Sequence, residues 1–259
     1  MAMTGLSLKN KTILRLSGLF WTSMDWLYPP RCCSCDIQGV VFCQECFSQV
    51  KKITGNLCRK CGYPIGKKQK YCVDCQQNLP PFDQMRSWAV FEGPIQKAVH
   101  SLKYRKDLAL GSILADPLID LLKATDWTFD LVLPVPLSRA RFKERGYNQA
   151  ALIARNLAVK MDIEYSNDTV TRVRHTKTQI SLDVNKRFMN LMDAFYANPA
   201  KLKTRNILII DDVITTGATM QNCSSALIKA GAEKVYCLSV ARSILRHPKI
   251  PQFDPMSNS

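Results

Sequence analysis

The residues best suited to chemistry lie in one short segment near the C-terminal end of the chain. The apolar run Ile207–Ile210 predicts a buried strand, and the acids Asp211 and Asp212 follow it directly. The hydroxyl-rich segment Thr215–Thr219 then opens a predicted helix over 218–230. A helix N-terminus offers free N–H groups and a positive dipole end to a phosphate, whereas carboxylates accept hydrogen bonds from the vicinal hydroxyls of a ribose. We therefore expect a ribose 5-phosphate site in this segment.

Three other kinds of site share parts of this pattern. A Walker B strand also ends in acids, but the sequence contains no Gly-x-x-x-x-Gly-Lys-Ser/Thr loop to accompany it. A phosphoacceptor receiver site does not need the Thr-Thr-Gly-x-Thr loop. An ordinary N-capped helix after a strand does not account for two adjacent acids.

A basic segment earlier in the chain could complete such a site. Pro134–Arg139 follows a predicted strand over 130–135, and Arg141, Lys143 and Arg145 come next. In a parallel sheet the carboxyl ends of the strands meet at one edge, where ligands bind. The planar fork of arginine suits a pyrophosphate, so a pyrophosphate-binding segment is favoured over a solvated basic loop.

Eight of the 11 cysteines form four Cys-x-x-Cys knuckles. The knuckles are Cys32/Cys35, Cys43/Cys46, Cys58/Cys61 and Cys72/Cys75. Two such turns can place four thiolates around one tetrahedral zinc ion. A single pair could be a redox motif, but four pairs in one strand-poor segment favour structural zinc over disulfides or an iron–sulfur cluster. We expect two Zn²⁺ sites formed by sequential knuckles, with Cys33, Cys223 and Cys237 outside them.

The composition is that of a globular protein with a basic surface. Apolar residues make up 46% of the chain, and 36 Lys and Arg against 21 Asp and Glu give a net charge of +15. Such a charge attracts polyanions, either nucleic acid or phosphorylated metabolites. No stretch approaches the roughly 20 apolar residues of a membrane helix, and no secretory signal is recognisable. We therefore expect a cytoplasmic protein without a transmembrane segment.

Alternating strand and helix patterns after residue 82 must position these residues. Strands are predicted over 88–91, 130–135, 207–210 and 235–241, and helices over 95–104, 108–122, 148–161 and 218–230. This order predicts an α/β fold, a parallel sheet with helices on both faces. The paired prolines Pro29-Pro30 and Pro80-Pro81 predict module boundaries. The predicted parts are an amphipathic segment over 1–28, the Cys-rich module over 29–81, the α/β domain over 82–245 and a loose tail over 246–259.

Two resemblances sharpen this interpretation. Residues 207–219 resemble the phosphoribosyl pyrophosphate (PRPP) motif of the type I phosphoribosyltransferases. A wider series of motifs resembles the ComF family from about Tyr28 to Arg242. The motifs are the paired Cys knuckles, Ser101–Tyr104, Pro134–Pro136, Arg145–Gln149, Thr178-Gln179 with Arg187 and Asn190, and the PRPP motif. The resemblance implies a zinc ribbon joined to a type I phosphoribosyltransferase domain. Thr178 departs from the usual Pro, and the segment before Tyr28 is longer than expected, but neither departure touches the PRPP motif.

The phosphoribosyltransferase resemblance also implies residue roles. Asp211 and Asp212 would bind the ribose hydroxyls. The 5-phosphate would be bound by Thr215, Thr216, Gly217, Ala218 and Thr219. The pyrophosphate, with Mg²⁺, would be bound beside Pro136, Leu137, Ser138 and Arg139. Arg172, Arg174 and Lys177 are the catalytic candidates for stabilising the departing pyrophosphate, although a solvated basic stretch explains them equally well.

Several functions fit these features. ComF proteins are associated with competence, the uptake of transforming DNA, so the resemblance implies PRPP, single-stranded DNA and DNA-uptake proteins as partners. Tyr63 and Tyr71 of the Cys-rich module are candidates for base stacking. One alternative is a metabolic phosphoribosyltransferase of the amidophosphoribosyltransferase kind. Another is a PRPP sensor without catalysis, because the same loops serve binding and turnover.

Overall fold

The computed structural model describes residues 29–173 and 194–244. The predictions for residues 1–28, for Arg174 and Lys177, and for the tail over 246–259 fall outside the described residues. Within them the strands are β1 (Gln84–Val90), β2 (Leu131–Pro134), β3 (Glu164–Tyr165), β4 (Val170–Arg172), β5 (Phe195–Ala197), β6 (Asn206–Ile214) and β7 (Lys234–Arg242). The α-helices are α1 (Gln44–Ser48), α2 (Val73–Gln77), α3 (Gly93–His100), α4 (Leu110–Lys123), α5 (Arg139–Arg145), α6 (Gln149–Met161) and α7 (Ala218–Lys229). A π-helix, Ser101–Arg105, continues α3, and a short 3-10 helix spans Pro199–Lys201.

Five strands form one parallel sheet in the order β1-β7-β6-β2-β3, which confirms the predicted α/β class. β4 and β5 form a separate antiparallel pair. Successive side chains of β6 point to opposite faces of the sheet, as strand geometry requires. Leu208 and Ile210 join one hydrophobic cluster, whereas Ile207 and Ile209 join the other.

The strand β6 is longer than the sequence predicted, and this shapes the sheet edge. It continues past the two acids because its residues keep pairing with β7, up to Ile214 opposite Arg242. On its other side the pairing with β2 ends at Ile210 opposite Pro134. β2 and β6 therefore stop pairing beyond Ile210, at the carboxyl edge of the sheet, a position that we call the crevice.

The basic segment after β2 also differs from prediction, because it contains a helix and not a loop. The side chain of Ser138 caps α5 by accepting a hydrogen bond from the backbone N–H of Arg141 at 3.3 Å. Gly146, with a φ of +82°, ends the helix in the left-handed conformation that favours glycine.

The cysteine-rich segment packs against the sheet on both faces. Cys32 and Cys46 belong to the cluster that contains Trp88, whereas Cys58 and Cys61 belong to the opposite cluster. Residues 50–53, between the second and third knuckles, run antiparallel along the outer edge of β1. The bonds there are Ile53 N–H to Trp88 O at 2.8 Å and Val90 N–H to Lys51 O at 2.9 Å. The segment thereby covers a strand edge that would otherwise be open to pairing.

Candidate functional site

The two acids of β6 stand side by side in the crevice. Asp211 is half-buried and Asp212 is 3% exposed. One carboxylate oxygen of each accepts the next backbone N–H, at 2.8 Å for Asp211 and 2.9 Å for Asp212. Burial raises the pKa of Asp211 well above its ordinary value, and the adjacent charge of Asp212 adds to the effect. The two carboxyl groups therefore lie close together at the carboxyl edge of the sheet.

A loop with exposed hydroxyls joins β6 to α7. Thr215, Thr216 and Thr219 are exposed, and Gly217 adopts a φ of +78° at the N-cap of α7. A backbone hydrogen bond from Ser243 N–H to Ile214 O, at 2.8 Å, holds the start of the loop. The free N–H groups in the first turn of α7, a 12-residue helix, thus lie next to the hydroxyl donors of this loop.

The loop after β2 begins at the same edge. Its start is fixed by two hydrogen bonds, from Val135 N–H to Ile210 O and from Asn148 Nδ2 to Val135 O, both at 2.9 Å. Pro136 and Leu137 are half-buried, and Arg139 is exposed. The structure therefore brings the two predicted binding segments to neighbouring strand ends.

Arg145, one of the basic residues considered for pyrophosphate, is buried under the loop and not directed to solvent. It is 8% exposed, and its Nη1 donates to Gln149 Oε1 at 3.0 Å. Its guanidinium lies 5.2 Å from the ring centroid of Tyr104. Its interactions are those of a residue that supports the loop.

Sequence reasoning missed the contact that Lys103 makes with the acid pair. Its ammonium lies 2.6 Å from Oδ2 of Asp212, and the two side chains are 18% and 5% exposed. Lys103 belongs to the Ser101–Tyr104 motif, but the periodicity of that motif indicates only a helix, because the partner strand lies far away in the sequence.

Of the catalytic candidates, Arg172 lies in the described residues, on β4. Its guanidinium is 5.5 Å from the ring centroid of Phe195 on β5, and burial lowers its pKa. Its role in catalysis, like those of Arg174 and Lys177, stays a prediction.

The eight knuckle cysteines form two groups of four, each with sulfurs within 4.8 Å of one another. The groups are Cys32, Cys35, Cys43 and Cys46, and Cys58, Cys61, Cys72 and Cys75. Sulfur pairs in these groups lie 3.5 to 3.7 Å apart. Tetrahedral zinc with four sulfurs at about 2.3 Å requires a sulfur–sulfur separation of about 3.8 Å. Both groups therefore fit Zn²⁺, which would supply folding energy to this segment.

The second cysteine group is linked to the sheet by a buried cation. Arg242, the last residue of β7, is 6% exposed and donates a hydrogen bond from Nη1 to the carbonyl of Cys61. Its guanidinium lies 5.3 Å from the ring centroid of Tyr63. A zinc ion with four thiolates carries a net negative charge, so a buried arginine suits this position.

A cleft of ≈ 500 Å³ lies between the first cysteine group and the end of α3. It is lined by Cys32, Cys33, Ser34, Asp36, Lys97, His100, Ser101, Tyr104 and Arg105. Tyr104 is 60% exposed and meets His100 edge-to-face at 5.8 Å. In comparison, Tyr71 is 39% exposed, and Tyr63 is covered by Arg242. Tyr104 is thus more exposed than Tyr71, and an arginine packs on its ring as on that of Tyr63.

Comparisons with known proteins agree with this architecture. The family model of the double zinc ribbon domain matches residues 23–76, and that of the phosphoribosyl transferase domain matches 143–249. Competence protein F of Haemophilus influenzae is 31% identical over 208 residues, which cover 78% of this chain and 90% of that protein. The DNA utilization protein YhgH of Escherichia coli K12 is 31% identical over 203 residues, covering 76% and 88%. Competence protein ComFC of Bacillus subtilis is 27% identical over 212 residues, covering 78% and 84%. Among the helices described, none has the length and apolar character needed to cross a membrane.

Proposed function

Because the chain belongs to the ComF family of competence proteins, we propose that it binds PRPP with Mg²⁺ in its phosphoribosyltransferase domain and acts on single-stranded DNA during the uptake of transforming DNA. The names of its relatives motivate the DNA part. The site at the carboxyl edge of the sheet motivates the PRPP part.

One observation carries the PRPP assignment. The acid pair, the hydroxyl loop and the N-terminus of α7 follow one another along the chain at the crevice between β2 and β6. Asp211 and Asp212 accept hydrogen bonds from the ribose hydroxyls. The loop 215–219 and the first turn of α7 hold the 5-phosphate. The loop 136–139, at the adjacent strand end, faces the pyrophosphate. Carboxylate and phosphate oxygens are the ligands that Mg²⁺ prefers, and the ion would neutralise pyrophosphate charge.

Titration calorimetry with PRPP and Mg²⁺ tests this assignment. We expect the wild-type chain to bind and the isosteric double variant Asp211→Asn/Asp212→Asn to lose at least about tenfold in affinity, since it loses two charged acceptors. Asp116→Asn/Asp120→Asn on α4 is the matched control, because both acids are exposed and lie away from the crevice. Equal binding by wild type and the Asp211/Asp212 variant would contradict the site.

The same samples decide between transfer and sensing. Pyrophosphate released in the presence of an amine or nucleobase would identify a phosphoribosyltransferase. Tight PRPP binding without release, over a panel of such acceptors, would identify a PRPP sensor.

The cleft beside the first cysteine group supports the DNA part of the proposal. Lys97, His100 and Arg105 supply basic groups around the exposed ring of Tyr104. A basic groove with an exposed aromatic is the usual arrangement for sequence-tolerant binding of single strands.

A charge-reversal pair tests the cleft. Lys97→Glu/Arg105→Glu should weaken binding of a fluorescent single-stranded oligonucleotide at low salt by at least about tenfold, since each lost phosphate contact removes favourable counterion release. Lys229→Glu/Lys234→Glu changes the net charge equally but acts at the end of α7 and the start of β7, at the opposite edge of the sheet. Equal losses in both variants would show that the overall charge, and not the cleft, attracts the DNA.

A further inference from the structure

The ion pair between Lys103 and Asp212 is unusual within the described residues. In every other ion pair there, the acidic side chain is at least 54% exposed. Here the acid is 5% exposed and the lysine 18%. Removing an ammonium group from water is costly, and a surface lysine could have avoided that cost. The burial of this lysine beside one acid of the pair therefore calls for a role at the crevice.

The backbone around Lys103 is built to hold it there. The helix α3 changes without a break into the π-helix Ser101–Arg105, a geometry with one extra residue per turn that occurs often at functional sites. Leu102 is fully buried, and its carbonyl accepts a hydrogen bond from the hydroxyl of Tyr147. Tyr104 packs on the guanidinium of Arg145. Both neighbours of Lys103 are thus fixed to the end of α5 and to the residues directly after it.

We infer that Lys103 is a positioning residue of the PRPP site, where its ammonium orients the Asp212 carboxylate and offsets the negative charge of the acid pair as PRPP binds. This inference rests on the proposed function of the β6 loop. PRPP carries several negative charges, and two adjacent carboxylates would repel it. A cation held against one carboxylate reduces this repulsion and leaves the acid oxygens able to accept hydrogen bonds from ribose hydroxyls.

The groups that face the acid pair act in opposite directions. Burial and the mutual repulsion of Asp211 and Asp212 raise the pKa of Asp211, whereas Lys103 lowers it. PRPP binding that needs an ionised Asp211 is lost as the pH falls through the pKa of that acid. Removal of the Lys103 charge raises the pKa of Asp211 further, so the loss then occurs at a higher pH.

The test compares Lys103→Met, Lys103→Arg and Lys160→Met by calorimetric titration of PRPP with Mg²⁺ across a range of pH. Lys160 is the matched control because it forms a Lys–Asp pair of the same 2.6 Å length with Asp116, on exposed helix surfaces. We expect Lys103→Met to lower the affinity about tenfold or more and to shift the acid limb of binding to higher pH. Lys103→Arg should retain the wild-type acid limb, and Lys160→Met should match wild type throughout. Thermal unfolding checks that each variant is folded.

The outcomes separate the inference from the function on which it depends. Wild-type affinity and an unshifted acid limb in Lys103→Met would overturn the inference while leaving the PRPP site intact. An acid limb in Lys103→Arg that shifts as far as in Lys103→Met would also overturn it, since the charge would then not be the cause. Absence of binding by the folded wild-type chain would overturn the proposed function, and this inference with it.

Discussion

Arg139 and Arg145 lie on the same short helix, yet the fold gives them different surroundings. Arg139 is exposed at the start of α5. Arg145 is buried at the end of α5, bonded to Gln149 and packed on Tyr104. At the scale of the residue, burial and partners decide which of two identical side chains can bind an anion.

The first prediction concerns Arg145. We expect Arg145→Met to lower the free energy of unfolding by about 2 kcal/mol, because a hydrogen bond to a buried charged group and a cation–π contact are both lost. Arg141→Met, at an exposed position of the same helix, should leave stability unchanged. Urea unfolding followed by circular dichroism measures both variants. Equal stability of the two would contradict the supporting role of Arg145.

The second prediction concerns Gly217 in the phosphate loop. Its φ of +78° strains any other residue, although a Cβ would have room, with Met85 Cε at 3.8 Å. Gly217→Ala should therefore cost about 1 kcal/mol of stability and also weaken PRPP binding, because the loop N–H groups shift. The control is Gly231→Ala, after α7, with a φ of +99° and with Lys203 Cα 4.0 Å from the added Cβ. It should lose similar stability but bind PRPP as the wild type does, and weakened binding in both variants would count against a local effect.

At the scale of the element, the edge strand β1 joins the cysteine-rich segment to the sheet. Residues 50–53 pair with its outer edge, and Met85 N–H donates to Lys60 O at 2.8 Å. Ser87 joins β1 to β7 through a 2.7 Å hydrogen bond to Ser239. The strand is therefore held on one side by the sheet and on the other by the knuckle segment.

The third prediction tests the contact between β1 and the third knuckle. A Cβ at Gly62 would lie 2.5 Å from the carbonyl oxygen of Met85, and its φ is +65°. Gly62→Ala should lower stability by about 2 kcal/mol more than Gly39→Ala, because both positions have a positive φ but Gly39 has open space around it. It should also speed the release of zinc to a colorimetric chelator. Identical unfolding and zinc-release curves for the two variants would refute this close approach.

At the scale of the whole molecule, the two cysteine groups belong to the two hydrophobic clusters on opposite faces of the sheet. Metal bound by these groups would therefore stabilise more than residues 31–79. Arg242 provides a direct connection, because it ends β7 opposite Ile214 and also bonds to Cys61.

The fourth prediction follows from this shared packing. Removal of zinc with a chelator should unfold residues 31–79, leave the parallel sheet folded and lower its melting temperature, because β1 loses its outer partner and both clusters lose packing. Hydrogen exchange with mass spectrometry would locate the loss of protection, and circular dichroism would give the melting temperature. An unchanged melting temperature in the metal-free chain would show that the two parts are energetically independent.

The fifth prediction concerns the net charge of +15. If about three phosphates of a single strand lie along the basic cleft, the logarithm of the binding constant should fall with the logarithm of salt with a slope of about −2. The Lys97→Glu/Arg105→Glu variant should have a shallower slope than wild type. A slope near zero for the wild type would argue against phosphate contacts.

The sequence by itself determined the local features. The spacing of the cysteines, the apolar run before Asp211 and the hydroxyl loop before α7 are each contained in a few consecutive residues. Periodicity also predicted most elements of the parallel sheet, since it reports which face of an element is buried. It did not reveal that β6 continues to Ile214, because that length depends on pairing with β7.

Only the tertiary structure decided which distant residues meet. Lys103 and Asp212 belong to elements far apart in sequence, and the neighbours of Lys103 in the π-helix contact Tyr147 and Arg145. The division of the cysteine groups between the two faces likewise depends on the edge position of β1. The physical reason is that the pattern of side chains specifies which surface of an element is buried. It does not specify which other surface covers it, because that depends on how the elements pack together.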